Sequence, residues 1–202
     1  MKIRYYNDIL VEDDEEVSFE ETQKLTTYTK AYFRDDEYLE KTELYSNCTL
    51  STVNYYNINN QAYEDVKAFH FHNYQNVKFT VRQNLAKIQG YTWESIFFFS
   101  SLGELTNVTE ILSNENQKPL MEIHMDKDYK VFELLKYYWE PDDELRYIFE
   151  YDGDGRNYTG YDLLYGDSAY LSEVKDYLPD PEFYDNGYHL PQAIANSTIP
   201  SV

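Results

Sequence analysis

Apolar and polar residues alternate with a period of two along most of the first 151 positions of this chain, the pattern of half-buried β-strands. It predicts strands at 3–6, 25–33 (LTTYTKAYF), 38–46, 49–56 (TLSTVNYY), 66–72, 77–82, 91–99 (YTWESIFFF), 105–112, 120–125 (LMEIHM), 131–139 and 145–151. One spacing recurs four times: an aromatic residue, five residues of turn composition, then an aliphatic residue that opens the next alternating run. It reads Phe33-RDDEY-Leu39, Phe71-HNYQN-Val77, Phe99-SSLGE-Leu105 and Trp139-EPDDE-Leu145. Each unit predicts a β-hairpin. Consecutive hairpins bury their apolar faces by joining into one sheet. The fold expected is mainly β, a twisted antiparallel sheet of consecutive hairpins with one C-terminal helix and an extended tail.

The pattern changes after residue 151. DGDGRN (152–157) reads as a turn-rich linker. Residues 168–178 (SAYLSEVKDYL) predict a helix capped by Asp167 or Ser168, with Leu171, Val174, Tyr177 and Leu178 on one face and Pro179 as its stop. The Pro-containing remainder, 179–202, is expected to be an extended arm or a packed irregular segment. At this length the expectation is a single domain, 1–202, with a hairpin region at 25–151 and a linker, helix and tail at 152–202. The acidic run at 12–21 reads as a solvated loop, and so does 57–61.

Composition shifts the picture toward binding surfaces. The chain holds 23 Tyr, 11 Phe and 2 Trp, and its mean hydropathy is -0.71. Tyr joins an apolar ring to a polar tip, which suits half-buried strands and wet interfaces. Lys and Arg number 17 against 37 Asp and Glu, a net charge of -20. Such a chain lacks the cations that displace counterions from nucleic acid, and it is repelled by anionic membranes. A strongly basic protein is the partner that the charge permits. The lone cysteine, Cys48, makes an intrachain disulfide impossible. The first residues lack an apolar leader segment, so the compartment expected is the cytoplasm.

Motifs for chemistry are sparse. Counting from Asp152, a calcium loop would need ligands or glycine where Arg156, Asn157 and Leu163 stand, so a turn is the better reading. His70 and His72 share one face of the strand expected at 66–72, and His124 lies on another strand. Converging strands could present them to a metal, whereas histidines on a polar sheet face need no metal. No G-x-S-x-G elbow and no phosphate-binding glycine loop occurs. The clusters Tyr55-Tyr56, Phe97-Phe98-Phe99 and Tyr137-Tyr138-Trp139 place aromatics on both faces of their strands. One face is core; the other is either covered by the helix and tail or exposed to a partner.

The string YYWEPDDELRYIFEYDGDG, with echoes around Phe33 and Phe99, resembles the hairpin unit of MORN-variant-like repeats. Small acidic bacterial proteins of this kind often occur as antitoxins or immunity proteins, and the resemblance implies that role here. The expectation is a non-enzymatic immunity or inhibitor protein that occludes a basic toxin such as a nuclease, with no cofactor and no metal. Asp35, Asp36 and Glu37 in the first loop, and Asp142, Asp143 and Glu144 in the fourth, would oppose the toxin's cations. Tyr138 and Trp139 would supply buried anchors. Two alternatives stand beside it: a small metal-dependent hydrolase using the strand histidines, and a sugar-binding β module whose aromatics stack on rings.

Overall fold

The computed structural model describes residues 1–8, 15–56 and 61–197, with the side chains of Asn84 and Leu85 excepted. The acidic run at 12–21, the loop at 57–61 and the tail's last residues therefore lie partly outside the described residues. The chain is mainly β, as the alternation predicts. Its strands form one open, mostly antiparallel sheet in the order β13-β12-β11-β10-β9-β8-β7-β6-β5-β4-β3-β1-β2. Contacts divide the chain into two compact units, 1–83 with 96–106, and 84–95 with 107–202.

The first unit contains β1 (Lys2–Tyr6), β2 (Glu16–Val17), α1 (Phe19–Thr22), β3 (Thr27–Phe33), β4 (Leu39–Ser46), β5 (Thr49–Tyr56) and α2 (Tyr63–Asn73). It also takes parts of β6 (Lys78–Ile88) and β7 (Tyr91–Phe99). The expected strand at 66–72, and with it the hairpin Phe71-HNYQN-Val77, is corrected: these residues lie in and just after α2. Strand β6 then pairs parallel with β5, and a parallel pair requires the crossover that α2 provides. The alternation of Phe69 and Phe71 with His70 and His72 misleads because the histidine is the core residue here. Tyr63, Val66 and His70 share the helix face turned to the sheet. His70 is fully buried. Its Nε2 faces the Val77 carbonyl at 2.9 Å, so Nε2 donates, and Nδ1 accepts from the Tyr55 hydroxyl at 3.0 Å. Its ring stacks on Phe79, centroids 4.1 Å apart. Burial lowers its pKa, which keeps the imidazole neutral.

Beside α2 the same sheet face carries a buried carboxylate. Register places Lys41 opposite Tyr32 and Tyr55, and Glu43 opposite Lys30 and Val53. Glu43 accepts from Lys41 Nζ at 2.9 Å, Tyr45 OH at 3.1 Å and the Tyr74 hydroxyl. Burial alone would raise its pKa, but the bonds from Tyr74, Lys41 and Tyr32 hold it below the usual range.

The second unit contains most of β8 (Leu105–Ser113), then β9 (Pro119–Asp126), β10 (Val131–Trp139), β11 (Leu145–Tyr151), β12 (Asn157–Asp162) and β13 (Asp167–Ser168). The helices α3 (Leu171–Val174) and α4 (Pro181–Asp185) follow, with single 3-10 turns at Lys175–Tyr177 and Gln192–Ile194. The helix expected at 168–178 thus begins later. Asp167 and Ser168 pair with β12 instead of capping it, and the residue before α3, Tyr170, makes no side-chain cap. The linker expected at 152–157 is a hairpin turn leading into β12. The tail is packed: Leu171, Leu178, Phe183, Tyr184 and Ile194 are buried, on the face that presents Leu112, Met121, Leu134, Phe149 and Tyr151. Gly160 lies where a Cβ would fall 2.6 Å from the Ala169 carbonyl and 2.8 Å from the Phe149 ring, so no side chain fits there.

Six loops share one geometry. In 34–38, the Arg34 N–H donates to the Tyr38 carbonyl at 2.8 Å and the Glu37 N–H to the Arg34 carbonyl at 3.1 Å. The same pair recurs in 100–104, 114–118, 126–130, 140–144 and 152–156. The fourth residue is left-handed in each: Glu37, Gly103, Gln117, Tyr129, Asp143 and Gly155, with φ between 61° and 80°. This is a type I turn closed by a one-residue bulge. In four of the loops a Ser, Asn or Asp at the first position accepts from the backbone N–H groups two and four residues on.

Two buried ionisable groups of the second unit test this packing. Lys136 is 0% exposed, and its ammonium donates to the carbonyls of Phe183, Asn186 (2.8 Å) and His189 (2.7 Å), tying the tail to β10. Burial pushes its pKa down to about 6, opposed by the charges of Asp180 and Asp185; the three acceptors also favour the ammonium, which alone has three N–H donors. Replacing Lys136 with Met leaves three carbonyls, one buried and two part-buried, without this donor. It should cost about 3 kcal/mol or more of stability and make 179–191 sensitive to limited proteolysis.

Glu110 has no such partners. Burial raises its pKa to about 7. The Trp93 indole N–H opposes the shift without meeting hydrogen-bond geometry, and it and the Ser95 hydroxyl are buried without partners. A folded pKa above the unfolded one means that the native state binds the extra proton between the two values. Stability is therefore lost as pH rises through about 7. Glu110→Gln should match the wild type near pH 4 and exceed it by about 2–3 kcal/mol at pH 8, as read from denaturant unfolding at both pH values.

Candidate protein-binding site

The first acidic loop is neutralised within its own unit. Asp35 Oδ1 accepts from the N-terminal ammonium at 2.7 Å. Asp36 receives the Arg34 guanidinium at 3.2 and 2.6 Å. Glu37 takes Arg4 Nη2 at 2.7 Å and the Lys2 ammonium. All three carboxyls are held below the usual range, by the hydrogen bonds from the N-terminus, Arg34 and Lys2 respectively. Three acids meeting four cations leave little field for a partner.

The fourth loop, 140–144, stands in the other unit and differs. Asp143 takes Lys118 Nζ at 2.6 Å. Asp142 accepts only the Glu144 backbone N–H, at 3.4 Å, and Glu140 accepts the Tyr138 hydroxyl at 3.3 Å. Among the described residues, Glu140, Asp142 and Glu144 have no ion pair. The loops joining β8 to β9, β10 to β11 and β12 to β13 lie at the same end of this unit's strands, which is how Lys118 reaches Asp143.

Beside these acids stands an apolar tip that the alternation does not reveal. Asp162 holds the turn 162–166 together: Oδ1 accepts from the N–H groups of Leu164 and Tyr165 at 3.0 and 3.3 Å, and Oδ2 pairs with Arg146 at 2.8 Å. The turn projects Leu163, Leu164 (60% exposed) and Tyr165 (71% exposed) into solvent. Glu140, Asp142, Glu144, Leu145, Arg146, Leu163 and Leu164 line a groove of about 370 Å³. The signal available in the sequence is the run LLY between Asp162 and Gly166, apolar residues held in a turn where polar ones are usual.

The predicted anchors are occupied internally. Tyr138 stacks on Tyr147, centroids 5.8 Å apart. Trp139 donates Nε1–H to the Pro119 carbonyl at 2.7 Å, and Lys118 lies 4.7 Å from its ring centroid. Both are half-buried. Tyr55, Phe97, Phe99 and Tyr137 are buried, so these clusters form no continuous exposed row.

The histidine set does not assemble as expected. His70 and His72 lie on α2, where residues two apart diverge. Among the described residues no group of three or more His, Cys, Asp or Glu is arranged to hold a metal. His124 does join a relay: its Nδ1 lies 3.1 Å from Thr109 Oγ1 and its Nε2 3.2 Å from Glu122. That order resembles a hydroxyl–imidazole–carboxylate nucleophile. However, β8 is hydrogen-bonded along both edges, so its backbone N–H groups are committed to the ladder and give Thr109 no oxyanion site. Among the described residues no helix is long and apolar enough to cross a membrane.

Comparison with protein-family models, with curated proteins and with solved structures finds no match to this chain. Trp139→Ala should lower stability by about 2 kcal/mol, because it removes a half-buried ring and leaves the Pro119 carbonyl unpaired; thermal melting checks this.

Proposed function

We propose that this chain is a non-enzymatic acidic binding protein of the immunity or inhibitor class, acting in the cytoplasm on a basic toxin such as a nuclease. One observation carries the reading: three carboxylates without ion pairs among the described residues (Glu140, Asp142 and Glu144) border the exposed Leu163, Leu164 and Tyr165. Charge alone serves solubility. Charge beside an exposed apolar tip suits a partner with Lys or Arg around an apolar contact. The acids steer the encounter, and the tip supplies the desolvated area that holds the complex. The binding surface is accordingly assigned to 140–144 with 162–166; Asp35, Asp36 and Glu37 are matched by their own cations, and Tyr138 and Trp139 support the loop from behind.

The test is inhibition of a panel of purified basic bacterial nucleases, followed with a fluorogenic nucleic-acid substrate. At least one should be inhibited at one-to-one stoichiometry, with an association rate that falls several-fold as salt rises to roughly 0.15 M. Neutralising Asp142, Asp143 and Glu144 together should slow association. Tyr165→Ala should weaken the complex by about 2 kcal/mol without changing the melting temperature. Inhibition of none of the panel, or inhibition indifferent to both variants, overturns the proposal.

A further inference from the structure

The first unit holds a cleft of about 560 Å³ between α2 and the ends of β3, β4 and β5. It has no part in the surface assigned above, and its chemistry differs. Its walls are aromatic. Tyr55 stands edge-on to Phe69, centroids 6.4 Å apart at 83°, and the buried Tyr32 also lines the cleft. Phe69 is 55% exposed, although Val66 and His70 on the same helix are buried, so an apolar ring is left at the mouth.

The polar groups of the cleft define what fits. Lys41 lines it, but its ammonium is already matched, by Glu43 at 2.9 Å and by the Tyr74 hydroxyl, and it sits 4.0 Å over the Tyr32 ring. It therefore does not call for an anion, and it repels a cation. The Asp65 carboxylate and the Gln61 side-chain amide also line the cleft, and neither makes a hydrogen bond among the described residues. With Glu40 on the rim, the open groups are mostly acceptors. An anionic ligand such as a phosphate would meet two carboxylates. A quaternary ammonium would meet Lys41 and find the Tyr32 face taken.

We infer that this cleft binds a neutral sugar ring. A pyranose presents a flat C–H face that stacks on an aromatic side chain, and hydroxyl groups around its rim that donate to carboxylate and amide oxygens. Phe69 supplies the exposed stacking face, above the buried Tyr55; Asp65 and Gln61 supply the acceptors. The volume lies in the range of small-ligand sites, with the usual composition of mostly apolar walls and a few polar groups that fix orientation.

Isotope-labelled wild-type protein titrated with glucose, N-acetylglucosamine, cellobiose and chitobiose tests this by chemical-shift perturbation. Choline chloride and inorganic phosphate serve as cationic and anionic probes. At least one neutral sugar should give saturable shifts at millimolar concentration, confined to residues around Phe69, Asp65 and Tyr55. Phe69→Ala and Asp65→Asn, both at exposed positions, should each weaken that binding roughly tenfold or more and leave the melting temperature unchanged. Three results overturn the inference: no neutral sugar shifts the spectrum up to tens of millimolar, choline or phosphate binds as well as the sugars, or sugar binding survives both variants. Nuclease inhibition measured on the same two variants should be unaltered, which separates this cleft from the protein-binding surface.

Discussion

Each five-residue loop closes with the same two backbone bonds and one left-handed residue, and that residue count decides which side chains of the flanking strands face together. Because side chains alternate along a strand, a loop longer or shorter by one residue would turn a whole strand over. The loop at 140–144 sets Lys136 opposite Phe149 and Leu134 opposite Tyr151; the loop at 114–118 sets Leu112 opposite Met121. Only with those registers do the apolar residues of β8 to β11 lie on one face. A face so assembled must be covered, and each unit does this with chain that is not strand: α2 in the first, the segment from Leu171 to Ile194 in the second.

Covering a sheet face buries whatever polar groups it carries, and these groups show how partners decide the outcome of burial. Glu43 and Glu110 both sit on covered strands. Hydroxyls and an ammonium surround Glu43, and it is held ionised. Burial of Glu110 is opposed only by the Trp93 indole, which forms no hydrogen bond with it, so its pKa rises. Lys136 is the inverse case, a cation ringed by carbonyls at a turn of the tail where no intrahelical donor is available. These carbonyls would otherwise lose this donor, so the lysine satisfies the tail as much as the tail accommodates the lysine. A hydrophobic residue at 136 would pack the strand but not the segment above it.

The strands were legible because alternation survives whatever lies above the sheet. All the predicted strands outside 66–72 are present, most within a residue or two of their expected ends. Three of the six loops, 114–118, 126–130 and 152–156, lack the aromatic–five–aliphatic spacing, although DGDGRN reads as turn-rich and 113–119 as a polar loop, and physics explains why the shared geometry stayed hidden. The left-handed position favours glycine, yet Gln117 and Tyr129 occupy it in two of them at a cost of about 1–2 kcal/mol, which first-position Asn114 and Asp126 help to offset through their backbone bonds. The readable cue was that first-position Asn or Asp between two alternating runs. Helix α2 was missed for another reason. Its core residue is a histidine whose two nitrogens are satisfied by Tyr55 and Val77, and pattern reading counts such a residue as polar. The acidic loops were found, but apart from Arg34, two residues from Asp36, the cations that answer them are distant in sequence. Lys2 and Arg4 reach Glu37 across more than thirty residues, and no local pattern carries that pairing.

Counting acids in a loop therefore says little about the field that a partner would meet; what matters is the charge left after internal pairing. Residues 35–37 and 142–144 look alike as strings, DDE in each. The first string lies against the N-terminal ammonium, Lys2, Arg4 and Arg34, and the second, among the described residues, against Lys118 alone. Surface pairs contribute little stability each, but they remove charge from the far field almost completely, because a matched pair acts as a dipole within a Debye length of about 10 Å. Ion pairing thus separates two loops that composition cannot. The loop left uncompensated is also the one beside Leu163, Leu164 and Tyr165, which Asp162 and Arg146 hold out in solvent. Apolar side chains held outward by a neutralised pair lie next to carboxylates that, among the described residues, have no ion pair, so long-range charge and exposed apolar area coincide on one surface.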